Sequence, residues 1–237
     1  MTPTPGSGAR MVETTSRSER RWAGVVPDQL VRFDRVERLV HWTTALLFVI
    51  ALATGTVLYV GPLSTLVGRR VLVKDLHVYA GLLLPLPLIV GYAGRWRVGL
   101  RRDVQRLARW RPADRRWLRH PLHHDGFERD KFNGGQKLFA AFVAGSIAVF
   151  ILTGSVMRWF EPFPDTWRNG ATFVHDWLYL VMALLLVGHA YKAVSEPEML
   201  RSMLVGRIPA RWARYRQPGW YAEVTTDPED EAQAAAG

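Results

Sequence analysis

Two histidines lie near the ends of one long apolar run, Phe173 to Lys192. His175 and His189 are 14 residues apart, which on an α-helix is about 21 Å of rise and about 40° short of four full turns. Both imidazoles therefore leave the same face of one helix, within a hydrocarbon core about 30 Å thick. Either histidine alone could be an interfacial residue bonded to a carbonyl. Two in register make the run a candidate for function, because ionisable side chains are costly inside a membrane.

Three other apolar runs accompany this one. His41 lies just inside the start of the first run, His77 opens the second, and the third has no histidine. Pro85 and Pro87 predict a kink in the second run, which membrane helices tolerate. All four runs are long enough to cross a bilayer. The predicted spans are 39–60, 76–92, 138–156 and 173–192.

The basic residues are unevenly distributed among the polar segments. Of the 31 Lys and Arg residues, 26 lie before the first span, in a polar insert at 94–137, or from Lys192 onward. Short cytoplasmic segments carry such an excess of Lys and Arg. Both termini and the insert are therefore predicted to be cytoplasmic. A nucleic-acid-binding protein, which a net charge of +10 could suggest, has no reason to sort its arginines in this way.

The topology gives each histidine a depth. His41 and His189 lie at the cytoplasmic ends of their helices, and His77 and His175 lie at the outer ends. Two imidazoles from facing helices are the axial ligands of a low-spin b-type haem, and bundle cores are where such sites are built. The four histidines therefore predict two haem-iron sites, one at each level.

Other metal and redox centres fit the chain less well. It has no cysteine, which excludes thiolate-bound iron–sulfur clusters, covalently attached c-type haem and internal disulfides. Zn²⁺ could use two histidines but would want further ligands that no span offers. A proton relay would more often include membrane carboxylates, and only Asp75 and Asp176 lie close, at the outer rim. His120, His123 and His124 in the insert are interpreted as solvated loop histidines.

Two glycines have the same spacing as the histidines. Gly55 follows His41 by 14 residues and Gly91 follows His77 by 14 residues. Each could let a haem macrocycle lie close to the backbone, or could simply serve helix packing in a membrane. Both interpretations stay open for both residues.

The segments outside the spans are polar. The insert alternates basic with aromatic or aliphatic residues, which predicts a segment on the membrane surface with Trp110 and Trp117 at headgroup depth. The two ends have the composition of disordered tails. The predicted division is a tail at 1–30, one membrane domain at 31–223, and a tail at 224–237.

Several motifs occur in an order that resembles a known family. They are FDRVERLVHW (33–42), LHVYAG (76–81), KFNGGQK (131–137), the pair His175 and His189, and GRIPARWARYRQPGWY (206–221). Together they resemble the cytochrome b (gamma) subunit of the formate dehydrogenase-N family, a dihaem membrane cytochrome b. The resemblance covers about 33–223. Cytochrome b subunits of membrane-bound hydrogenases and thiosulfate reductases are more distantly similar.

The resemblance implies an all-α, integral membrane four-helix bundle in the bacterial inner membrane, with both termini cytoplasmic. A molybdenum or tungsten catalytic subunit would pass electrons through an iron–sulfur subunit to the outer haem, held by His77 and His175. They would continue to the inner haem, held by His41 and His189, and reduce a quinone such as menaquinone or ubiquinone. The chain itself would not act on the primary substrate. The alternatives are a subunit of a hydrogenase or another respiratory oxidoreductase, or a non-redox membrane anchor.

The resemblance also implies a quinone pocket beside the inner haem. Carried over by position, its residues are Asn133, Gly135, Gln136 and His189. Asn133 could instead only cap the third helix, with the glycines making the turn. The implied partners are therefore the two other subunits, quinone and membrane lipid, with no nucleic acid.

Overall fold

The computed structural model describes residues 27–95, 97–119 and 130–226, which are mostly helical. Four helical segments are long and apolar enough to cross a membrane: Arg35–Tyr59, Arg70–Ala93, Gly134–Arg158 and Asp165–Val194. The protein buries only 6–17% of the residues in their most apolar windows. Helices that are apolar all round and so little covered by protein are typical of a membrane span. The predicted all-α, four-span bundle is confirmed.

The first span is α1 (Arg35–Tyr59), which begins four residues before the predicted start. Asp34 caps it: the Asp34 carboxylate accepts from the Glu37 N–H at 2.8 Å, and the Glu37 carboxylate accepts from the Asp34 N–H at 2.6 Å. This reciprocal capping box satisfies two backbone donors at the helix start. Hydropathy marks only the apolar part of a helix, so the capped polar turn was missed.

The second span is broken where Pro85 and Pro87 predicted a kink. The short helix α2 (Gly61–Val67) leads to α3 (Arg70–Leu83) and, after the break, α4 (Leu86–Ala93). Proline has no N–H to donate within a helix. At the break the Leu84 N–H instead bonds the Gly81 carbonyl oxygen at 3.2 Å, in a tighter turn.

The polar insert is folded against the bundle. It forms α5 (Val98–Ala108) and α6 (Pro112–Arg119), and both pack on the third span, α7 (Gly134–Arg158). The Trp117 ring lies so close to Gly135 that a Cβ there would come within 2.5 Å of it. Trp117 therefore packs on the start of α7, and its location at headgroup depth stays a prediction. Trp110 is exposed. The insert histidines, His120, His123 and His124, lie outside the described residues.

The fourth span, α8 (Asp165–Val194), packs on α7, and α1 packs on α3 and α4. The bundle core contains Phe48, Leu84 and the fully buried Met182. Met182 lies seven residues from each histidine of α8. The apolar core therefore lies between the two histidine levels.

A small module joins the two ends of the described chain, and we name residues 27–33 and 197–226 the terminal module. Its strands β1 (Gln29–Val31) and β2 (Arg207–Pro209) pair antiparallel. Three helices complete it: α9 (Pro197–Val205), α10 (Ala210–Arg216) and α11 (Pro218–Thr225).

Long-range pairing holds this module together. Leu30, Ile208, Ala213 and Trp220 form its buried core. The predicted tail at 1–30 includes Gln29 and Leu30, which the structure places in β1, so that boundary is too late. Likewise, α11 runs two residues past the predicted boundary at 223. A strand of three residues carries too weak a sequence pattern to be recognised before its partner is known.

Candidate functional site

The four histidines of the spans form two pairs at opposite ends of the bundle. His41 and His189 lie at the end of the bundle where the described chain begins and ends, and their ring centroids are 6.2 Å apart. We name these two residues the terminal pair. At the other end, His77 and His175 have centroids 6.0 Å apart; we name these the far pair. The structure thus brings together the residues that the histidine depths had paired.

The spacing within each pair suits two imidazoles that bind one metal ion from opposite sides. An imidazole nitrogen bonds a transition-metal ion at about 2 Å and the ring centre lies about 1 Å behind it, so two such rings have centres roughly 6 Å apart. Within the described residues, no three His, Cys, Asp or Glu side chains converge on a metal site. Two nitrogens are too few for a structural Zn²⁺, but they suit haem, whose macrocycle supplies the remaining ligands.

The hydrogen bonds of the far pair fix the protonation of both rings. His77 Nδ1 lies 3.0 Å from the Ala51 carbonyl oxygen, which can only accept. The Thr153 hydroxyl donates to the Val149 carbonyl oxygen at 2.7 Å, so it accepts from His175 Nδ1–H at 2.9 Å. In both rings Nδ1 carries the proton and Nε2 is free, which is the form that binds a metal.

A Thr-Gly dipeptide lies beside each ring of the far pair. In Thr54-Gly55 on α1, the hydroxyl is 3.2 Å from His77 Nδ1, and a Cβ on the glycine would lie 3.2 Å from His77 Cε1. Thr153-Gly154 on α7 has the same relation to His175, where the added Cβ would lie 3.5 Å from Cε1. Sequence reasoning missed the contribution of α7 because this span has no histidine. The recurrence of Thr-Gly in two spans was the available signal.

Gly91 serves helix packing. A Cβ at Gly91 would lie 2.7 Å from the Val40 side chain and 2.9 Å from the Leu100 side chain. The glycine therefore allows α4 to approach both α1 and α5. Of the two interpretations left open for Gly91, packing is the one that the structure supports.

Aromatic rings flank the terminal pair. Phe139, in the second turn of α7, stacks on the His189 ring with centroids 5.0 Å apart and planes 6° apart. The Trp42 ring meets His41 edge-on at 5.3 Å. His189 is exposed at the bundle surface. The start of α7 therefore lies beside a ring that a small planar molecule can reach.

The loop before α7 is organised by the helix cap. Asn133 Oδ1 accepts from the Gln136 N–H at 2.9 Å, and Gln136 Oε1 accepts from the Asn133 N–H at 3.0 Å. A Cβ at Gly134 would lie 2.6 Å from the Asp114 carbonyl oxygen, and one at Gly135 would meet Trp117. The capping alternative considered for Asn133 is thus realised, and both glycines serve the packing of α6 on α7. The capping box uses Oδ1 of Asn133 and not its amide NH₂.

Known proteins with similar sequences bear on this geometry. The family model described as prokaryotic cytochrome b561 matches residues 32–208. The chain belongs to the prokaryotic cytochrome b561 family. It is 24% identical over 218 residues to the cytochrome b556(fdo) subunit of formate dehydrogenase from Escherichia coli K12, covering 87% of this chain and 98% of the relative.

Two further relatives carry similar names. The cytochrome b556(Fdn) subunit of the nitrate-inducible formate dehydrogenase of the same organism is 21% identical over 209 residues, covering 82% of this chain and 91% of the relative. The cytochrome b556 subunit of formate dehydrogenase from Haemophilus influenzae is 22% identical over 204 residues, covering 82% and 83%. The three relatives are formate dehydrogenase cytochrome b subunits, and this cytochrome b561-family chain is a multi-pass electron-transfer protein of the bacterial inner membrane.

A buried ionic cluster in this cytochrome b holds the loop before α7. Lys131 Nζ lies 2.5 Å from an Asp103 carboxylate oxygen and 3.8 Å from one of Glu37. Burial lowers the pKa of Lys131, while Asp103 and then Glu37 oppose that shift. A charged group that is this deeply buried needs such partners. The cluster therefore ties α1 and α5 to the start of the loop.

The terminal module is hydrogen-bonded to the same loop. Arg32 donates to the Lys131 carbonyl oxygen at 2.8 Å, and the Gln217 amide donates to it at 3.2 Å. Burial lowers the pKa of Arg32 to about 10, against the opposing charges of Asp103 and Glu37. Two buried donors thus fix a carbonyl two residues before Asn133. Sequence reasoning missed this contact because its members lie 86 to 185 residues apart.

Proposed function

We propose that this cytochrome b holds two haem b groups, one between His77 and His175 and one between His41 and His189. The observation that carries the proposal is the presence of two preformed pairs at opposite ends of one bundle. A haem would supply an iron that changes between ferric and ferrous. The protein supplies oriented imidazoles, and the Nδ1 hydrogen bonds of the far pair keep each Nε2 available for the iron.

We further propose that electrons enter at the far pair and leave at the terminal pair. The relatives are named as formate dehydrogenase subunits, which supports an outer iron–sulfur subunit and a molybdenum or tungsten subunit that oxidises formate. The arginine-rich segments that the structure describes, 97–119 and 201–216, lie at the terminal end, which supports a cytoplasmic location for that end and for both termini. Electrons moving inward against an outside-positive potential would conserve about 2.3 kcal/mol per charge per 100 mV.

The electron acceptor in this proposal is a quinone beside the terminal pair. The exposure of His189 and the aromatic Phe139 stacked on it support a site for a planar molecule at this end of the bundle. The Asn133 amide NH₂, which the helix cap does not use, is a donor for a quinone oxygen. Gly135 and Gln136 shape the adjacent helix start rather than supply a donor, because the packing against Trp117 and the capping box occupy them.

Haem stoichiometry in the purified complex tests the core of this proposal. We expect about two haems per chain, all removed by acid–acetone because no cysteine is present to attach them. His77→Ala or His175→Ala should remove one haem and block electron entry, and His41→Ala should remove the other. His123→Ala in the insert is the matched control and should keep both haems. A ratio near one or zero in the parent protein would exclude the two-haem assignment.

A further inference from the structure

The terminal module contains a cavity that neither histidine pair uses. It has a volume of about 830 Å³, and it is lined on one side by Arg201 of α9 and by Arg211 and Arg214 of α10. Tyr215 and Tyr221 also line it. Three arginines thus line one opening.

These three arginines differ from other arginines of the same region. Arg216 pairs with Glu196 at 3.0 Å, and Arg38 donates to the Leu204 carbonyl oxygen. Within the described part of the chain, the three arginines of the cavity make no hydrogen bond or ion pair. Among the described residues that line the cavity, Asp28 is the single carboxylate. The cavity therefore has a formal charge of +2, three guanidinium groups against one carboxylate, and like charges held together favour an anion between them.

The cavity lies next to the membrane boundary. The Met203 carbonyl oxygen, two residues along α9 from Arg201, accepts from the Trp42 indole N–H at 3.0 Å. Trp42 is near the start of α1, at the level of the terminal pair. Leu204 and Val205, at the end of α9, are 55% and 51% exposed. An anion that reaches these arginines can therefore come from the lipid headgroup layer.

We propose that this cavity binds the phosphodiester headgroup of an anionic phospholipid from the leaflet at the terminal end. Arginine forks match phosphate oxygens in geometry and charge, and the neighbouring tyrosine hydroxyls can donate as well. This site does not depend on the proposed electron path, because none of its residues touches either histidine pair. Bound lipid would fasten the terminal module to the membrane surface.

Lipid retention by the purified complex tests the proposal. The complex is reconstituted into nanodiscs of phosphatidylglycerol or of phosphatidylcholine and then re-extracted. Native mass spectrometry measures how much lipid stays bound to it. The parent protein should retain phosphatidylglycerol and not phosphatidylcholine. The triple variant Arg201→Gln/Arg211→Gln/Arg214→Gln should bind it at least about tenfold more weakly, as expected for the loss of three exposed ion pairs. The control Arg102→Gln/Arg109→Gln/Arg115→Gln removes three exposed arginines of the insert and should bind as the parent does.

A gain-of-binding variant keeps the proposal testable if the triple variant fails to assemble. Asp28→Asn removes the one carboxylate and should tighten phosphatidylglycerol binding severalfold, with the haem spectrum as the check on folding. Equal retention by Asp28→Asn and the parent would overturn the proposal, as would equal retention by both triple variants. Displacement of the lipid by millimolar inorganic phosphate would assign the cavity to a soluble anion and overturn the lipid source.

Discussion

At the scale of single residues, the hydrogen bonds at Nδ1 give the far pair its chemical character. An Nδ1–H that donates to an acceptor makes the opposite nitrogen more basic and fixes the plane of the ring. For His175 that acceptor is the Thr153 hydroxyl, whose own proton goes to Val149. The third span, which has no histidine, therefore still orients one ring of the far pair.

Thr153→Val tests this influence. The substitution keeps the side-chain shape and removes the acceptor, so His175 becomes a weaker electron donor to ferric iron. The reduction potential of the far haem should rise by roughly 20–60 mV, the one-electron equivalent of a hydrogen bond worth about 0.5–1.5 kcal/mol. Spectroelectrochemical titration measures it. Thr172→Val, which removes an exposed hydroxyl bonded only within α8, is the control, and an equal potential in both variants would contradict the prediction.

Asn133 combines a cap with a proposed quinone contact, and two substitutions separate them. Serine can cap a helix start but has no amide, whereas alanine can do neither. We expect Asn133→Ser to keep both haems reducible by substrate and to slow their reoxidation by quinone severalfold. Asn133→Ala should also lose about 1 kcal/mol of stability. Stopped-flow absorbance follows the reoxidation. If Asn133→Ser reoxidised as fast as the parent, Asn133 would be only a cap.

At the scale of elements, the contact between α6 and α7 depends on the lack of a side chain at Gly134. A Cβ at Gly134 would come within 2.6 Å of backbone atoms of Asp114, and backbone cannot move aside as a flexible side chain can. The insert is thus attached where α7 begins, next to the cap at Asn133.

Gly134→Ala should therefore destabilise the complex by roughly 1–3 kcal/mol, as overpacking does. Gly145→Ala, in the same helix but with open space around it, should be neutral or slightly stabilising because alanine is the better helix former. Thermal loss of the haem Soret band compares the two. A Gly134→Ala protein as stable as Gly145→Ala would show that α6 moves freely on α7.

The elements that sequence reasoning found are those with periodic signals. The spans follow from their apolar runs, the break from Pro85 and Pro87, and the two histidine pairs from the depth of each histidine in its span. The features that sequence reasoning missed depend on contacts between distant segments. They are the pairing of strand 29–31 with strand 207–209, and the hydrogen bonds that Arg32 and Gln217 donate to the Lys131 carbonyl oxygen. The candidate quinone residues were predicted only in part. Their loop was found by resemblance, yet its cap and its packing emerged only with the structure.

For the whole molecule, the asymmetric placement of arginines predicts the orientation in the membrane, and the absence of cysteine makes this easy to measure. Glu161→Cys lies in the connection between α7 and α8, and Thr226→Cys follows α11. A membrane-impermeant maleimide should label Glu161→Cys in intact spheroplasts and Thr226→Cys only after disruption. The unmodified chain is the blank. The reverse labelling pattern would place the termini outside.

Both histidine pairs draw one member from α8, the last of the four spans. During biosynthesis, a chain whose first three spans have entered the membrane holds His41 and His77 without their partners. Neither bis-histidine site exists until α8 is inserted, and β1 can find β2 only after that. The order of residues along the chain thus leaves both proposed haem sites with one histidine each until α8 has been inserted.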